Sequence, residues 1–97
     1  MPTTKYQIKQ NSAHIVIIKD GKNVLIDTGS PQTIGKMPEF EWNGVKHNIS
    51  ESMLGMVDIN EVCELSGEDI DVLLGADILG ASPFIVDLQE NCFILPD

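Results

Sequence analysis

The chain has 97 residues, no arginine, and six lysines against fifteen acids, for a net charge of −9. A chain of this length is read as one domain, residues 1–97, with a single modest core. Without a basic face it lacks the phosphate contacts on which nucleic-acid binding depends, so no nucleic-acid partner is expected.

Two cysteines, Cys63 and Cys92, are too few for a disulfide framework and fit no zinc spacing, so reduced, packed thiols are expected. His14 and His47 have no second ligand close in sequence, and neither a metal nor a cofactor is expected. No basic leader precedes an apolar stretch, and no apolar run approaches the roughly 20 residues that span a bilayer. The expectation is a soluble, cytoplasmic protein without membrane contact. The charge is uneven: residues 1–38 hold five lysines and two aspartates, residues 39–97 one lysine and thirteen acids. The acidic stretch from Glu39 to Asp71 reads as a solvated face that would attract basic substrates at long range.

In chain order, Tyr6–Lys9 alternates like a short or edge strand. His14–Lys19 is a β-branched run, Asp20-Gly21 is a turn signal, and Val24–Ile26 is a second apolar run, which together spell a hairpin. Ser30–Gly35 continues as loop, where Pro31 and Pro38 exclude a helix interior. Phe40–Ile49 centres another hairpin on Asn43-Gly44, and Met53–Val57 is apolar and extended. Asp58 is placed to cap a short helix over Ile59–Leu65, with Glu61 completing a capping box and Gly67 as its stop, although an irregular strand also fits the pattern. Ile70–Gly75 reads as a buried strand, Asp77–Leu79 as a helical turn, and Pro83–Leu88 with Cys92–Leu95 as a last hairpin. Short strands joined by Gly, Asn and Asp turns imply an all-β domain with one or two short helical turns.

One stretch departs from ordinary patterning. In Val24-Leu25-Ile26-Asp27-Thr28-Gly29-Ser30 an apolar strand delivers an acid directly into a turn. Burying an unpaired carboxylate costs several kcal/mol, yet two hydroxyls and a glycine follow at once, able to supply hydrogen bonds and a tight backbone. Ser30 is not flanked by the glycines of a serine-nucleophile elbow. Asp77 reads as a helix-cap acid.

About fifty positions after Asp27 comes Val72-Leu73-Leu74-Gly75-Ala76-Asp77-Ile78-Leu79. The pair of motifs, in this order and in this β context, resembles the retropepsin-like aspartic peptidases over residues 14–95. That resemblance implies a closed β-barrel or sandwich in which Asp27 is the one catalytic aspartate per subunit. It implies supporting roles for Thr28, which would brace paired loops, for Gly29, and for Ser30, which would hydrogen-bond the outer carboxylate oxygen. Leu74 and Gly75 would pack beside the active-site loop, ahead of the helical turn with Asp77.

Aspartic peptidases need two carboxylates sharing a proton, so a homodimer acting on a peptide or protein is implied. The alternative is a non-catalytic module of the same fold that dimerises or binds an extended peptide. Two features differ from the retroviral members. There is no glycine-rich flap, which leaves the hairpin tip Trp42-Asn43-Gly44 to act as flap or as plain structural hairpin. Pro31 and Ala76 stand where an Asp–Arg brace would otherwise lie.

Overall fold

The computed structural model describes residues 3–53 and 57–96. Its strands are β1 (Thr4–Gln7), β2 (Val16–Lys19), β3 (Lys22–Ile26), β4 (Ile34–Gly35), β5 (Glu39–Trp42), β6 (Val45–Asn48), β7 (Ser52–Met53), β8 (Val57–Asp58), β9 (Val72–Leu74), β10 (Ile85–Asp87) and β11 (Cys92–Leu95), with helices α1 (Ile59–Ser66) and α2 (Ala76–Leu79). The chain is therefore mostly β. The strands form four sheets, ordered β2-β3-β9-β4, β1-β11-β10, β5-β6 and β7-β8. Among the described residues they do not close into a barrel, because β10 and the small hairpins keep unpaired edges.

The β2-β3-β9-β4 sheet is the centre of the molecule. Along each of its strands, successive side chains point to opposite faces. Ile17, Val24, Val72 and Leu74 face a core containing Phe40, Trp42 and Phe93. Val16, Leu25 and Leu73 face a second core containing Met53, Ile59, Val62 and Ile70. Burial on both faces explains why these strands read as continuous apolar runs rather than as alternating ones.

Turn chemistry sets the hairpins. Asp20 and Gly21, and likewise Asn43 and Gly44, adopt positive φ at both central positions, which matches the twist of the flanking strands. The chain thus joins β2 to β3, and β5 to β6, in tight antiparallel register. At α1, Asp58 accepts from the Glu61 N–H at 2.9 Å while the Glu61 carboxylate reaches back to the Asp58 N–H, a complete capping box. Gly67, at φ 70°, ends the helix by donating to Cys63 O.

Several details go beyond the sequence reading. The stretch read wholly as loop contains β4, which pairs with β9 and bridges to Ser50. Part of the Met53–Val57 segment lies outside the described residues; at its ends, β7 pairs with β8. Lys19 is buried on β2, with its ammonium 3.0 Å from Asp20 Oδ2, 3.6 Å from Glu41 Oε1 and 5.3 Å from the centre of the Phe40 ring. That arrangement ties the first hairpin to the second, and the nearby charge holds the Asp20 carboxyl below its ordinary range through the Lys19 hydrogen bond. Both cysteines are free thiols. Among the described residues no helix is long and apolar enough to cross a membrane.

Candidate active site

The topology of the central sheet creates the site. β3 pairs in parallel with β9, and β4 pairs with the other edge of β9. The connection from β3 to β4, residues 27–33, must therefore arch over the end of β9. Whatever residue follows β9 lies beneath that arch.

Gly75 is that residue. A Cβ there would sit 2.7 Å from Ser30 O and 2.8 Å from Gln32 O, distances that backbone oxygens do not allow. Its φ of −98° is open to any residue, so the requirement for glycine is one of space. Hydrogen bonds then stitch the arch to the segment below it. Asp27 N–H donates to Leu74 O at 2.9 Å, extending the β3–β9 ladder by one step, and Ala76 N–H donates to Ser30 O at 2.7 Å.

Thr33 and Asp77 complete the clamp. The Thr33 hydroxyl, on a residue only 2% exposed, donates to Asp77 Oδ1 at 2.7 Å and accepts from Gly75 N–H at 2.9 Å. Thr33 N–H donates to Asp77 Oδ2 at 3.1 Å. The N-cap of α2 is Gly75, so Asp77 is not the capping residue; its carboxylate also accepts from Ile78 N–H, and its main work is to hold the arch. The sequence signal for this network was present in a threonine after the turn and an acid after Leu-Leu-Gly, but nothing local pairs them.

Within this frame Asp27 is a half-buried residue, and its Oδ1 accepts from Gly29 N–H at 3.1 Å. Ser30 N–H closes the turn onto Asp27 O at 3.1 Å. Thr28 and Gly29 are exposed beside the acid. The Ser30 hydroxyl does not reach the carboxylate in this chain. It is buried, donates to Gln32 O at 3.0 Å and lies 3.7 Å from Met53 Sδ, because the side chain points inward under the arch.

Two hollows meet at Asp27. One, of about 260 Å³, has apolar walls that include Leu25, Val62, Leu65 and Leu73. The other, of about 510 Å³, runs along Ser12–Ile15 and reaches Leu88. His14 lines both, and Asp27 is the only acid lining either among the described residues. A further hollow of about 260 Å³ at Lys19, Lys22 and Glu39 shares no residue with them.

Trp42, Asn43 and Gly44 line neither of the Asp27 hollows. Trp42 is 3% exposed and packs against Tyr6, Phe40 and Phe93 at ring-centre distances of 5.6, 6.1 and 5.7 Å. Its side chain is committed to the core, and Asn43 reaches Ser82 Oγ at 3.5 Å instead. The alternation of Phe40 and Trp42 on one strand face was the available signal, since two large aromatics at i and i+2 point to the same buried side. No set of three metal-ligating side chains converges among the described residues.

The arrangement presents one carboxylate, oriented by a backbone N–H and backed by apolar walls. A single carboxylate can act as general base or as general acid, and chemistry that needs both at the same moment requires a second group. Comparison with models of known families, with curated proteins and with solved structures finds no match.

Proposed function

We propose that the chain is one half of a retropepsin-like aspartic endopeptidase, with Asp27 from two copies forming the water-activating dyad. The observation that carries this reading is the arch itself. An Asp-Thr-Gly-Ser turn leaves the end of a parallel-paired strand and crosses a Leu-Leu-Gly segment, pinned there by Thr33 and Asp77. This construction ties the Asp27 backbone to Leu74 and Ser30 while leaving Thr28 and Gly29 exposed for a second loop to meet.

In the proposed dimer the two carboxylates share one proton, because like charges at hydrogen-bond range do not both ionise cheaply. The ionised one takes a proton from water as that water attacks the peptide carbonyl, and the protonated one delivers its proton as the amide collapses. The apparent pKa values belong to the pair. The apolar walls of the smaller hollow suit an aliphatic or aromatic side chain next to the scissile bond.

The test is turnover of a mixed peptide library at mildly acidic pH by the wild-type chain and by Asp27→Asn. Cleavage is expected to fall by at least about a thousandfold in the variant. Equal cleavage by both proteins rules the reading out. The commitment of Trp42 to the core favours a second reading, a non-catalytic module that binds an extended peptide. Peptide binding that survives Asp27→Ala, with no turnover at any pH, selects it.

A further inference from the structure

We infer that His14 sets the charge preference of the cleft at Asp27. With its imidazole protonated, the cleft favours a peptide that carries a carboxylate side chain beside its apolar one; with the imidazole neutral, that preference is lost. The inference rests on the reading that a peptide lies at Asp27, which the peptidase and the binding module share.

The register of the first hairpin places the two residues. β2 and β3 pair Val16 with Leu25, and the ladder runs on through the bond from Ile26 N–H to Ile15 O at 2.9 Å. One further step sets His14 across from Asp27. Val16 and Leu25 face the second core, and alternation carries His14 and Asp27 to that same side. There both line the smaller hollow with Leu25, and both also line the larger one. The backbone under the imidazole is tied back from behind. Ser12 Oγ accepts from His14 N–H at 3.1 Å and donates to Glu68 Oε2 at 2.6 Å.

Charge gives this position its meaning. Among the described residues, His14 is the one side chain lining either hollow that can carry positive charge, as Asp27 is the one that can carry negative charge. The charged groups behind the loop, Glu68 and Lys9, lie 4.0 Å apart and offset one another. An imidazole changes charge across the mildly acidic range, so the cleft gains a cation as the pH falls. A carboxylate on the bound peptide is the group such a cation selects. The net charge of −9 repels an acidic peptide at long range, but at physiological salt that field is screened beyond about 8 Å. An exposed ion pair in contact still contributes about two- to fivefold in affinity, so the local contact decides.

The probes are short blocked peptides centred on Leu-Leu, each made with Glu and with Gln at one position near the centre. Binding is read by fluorescence anisotropy on the Asp27→Asn chain, which removes the titration of Asp27 from the comparison. At one position the Glu form is expected to bind about two- to fivefold more tightly than the Gln form at about pH 5.5, and equally at about pH 8. Adding His14→Gln should erase the difference at both pH values, and adding His14→Lys should keep it at both. The pH comparison needs no change at His14, so the outcome does not depend on those variants folding. A Glu/Gln ratio that is the same at both pH values, a preference that survives His14→Gln, or binding of no peptide in the set overturns the inference. If the wild-type chain then still cleaves in an Asp27-dependent manner, the catalytic reading stands and its specificity lies elsewhere. Charge-selective binding by a chain that cleaves nothing keeps the role of His14 and removes the catalysis.

Discussion

Replacing Gly75 by alanine tests the arch directly. The new methyl would meet Ser30 O at 2.7 Å, Gln32 O at 2.8 Å and the Gln32 carbonyl carbon at 2.9 Å, all backbone atoms. None of them can swing aside as a side chain would. Ser30 O is held by Ala76 N–H at 2.7 Å, and Gln32 O accepts the Ser30 hydroxyl at 3.0 Å. Relief requires the arch and the end of β9 to separate, which stretches the Gly75–Thr33 and Ala76–Ser30 hydrogen bonds together. Overpacking of this kind costs about 1–3 kcal/mol, and weakening the buried Gly75–Thr33 hydrogen bond adds about 1 kcal/mol. The expected loss is about 2–4 kcal/mol, which lowers the melting temperature by roughly 10–25 °C in a domain of this size. Urea unfolding followed by tryptophan fluorescence reads it, since Trp42 lies in the core. A loss under about 0.5 kcal/mol, the range of an ordinary surface change, would show that the arch does not press on residue 75 and would refute the reasoning.

Two other outcomes follow from the same structure. Thr33→Val leaves the Gly75 N–H unpaired in a buried place and should cost about 2–4 kcal/mol by the same assay; combined with Asp77→Asn, the loss should fall short of the sum by about 1 kcal/mol, because the two side chains share one bond. At alkaline pH, burial beneath the aromatic cluster holds the Tyr6 phenol above its ordinary 10.0, and the hydrogen bond from Lys36 to Asp69 holds that ammonium above its ordinary 10.5. Groups raised in the folded state contribute fully below their unfolded values and lose that contribution as pH climbs through the folded ones, so stability should fall above about pH 10. Tyr6→Phe should make that fall shallower, by a fraction of the roughly 1.4 kcal/mol per pH unit of one whole proton; an unchanged slope in a pH series of urea titrations would assign the loss to other groups.

Much of the fold was legible because its signals are local. Asp20-Gly21 and Asn43-Gly44 announce hairpins through the φ angles they tolerate, and Asp58, Glu61 and Gly67 mark both ends of α1 by hydrogen bonds within a few residues. Asp27 stood out because an acid after an apolar strand needs a reason. The illegible parts are long-range pairings. β4 is two residues long and is a strand only because β9 lies beside it. Ser30 donates locally to Gln32 O, but it lies buried against Met53, 23 positions away, and that packing is what the sequence does not announce. Asp77 looked like a cap because its true partner, Thr33, is 44 residues distant. Lys19 gave no sign of burial, since the acids and ring that stabilise it come partly from a separate hairpin.

The insertion of β9 between β3 and β4 also fixes when the site can exist. Asp27 is synthesised almost fifty residues ahead of the floor of its arch, Leu74-Gly75, and of the clamp at Asp77. Contacts this distant in sequence require a long loop to close first, and a chain emerging from N- to C-terminus has no floor to offer until Leu74-Gly75 has been made. Up to that point Asp27 is an ordinary carboxylate in a loose turn. The same residue therefore passes from inert to ordered only once the segment after β9 has docked, so a nascent chain carries its acid long before it carries a site.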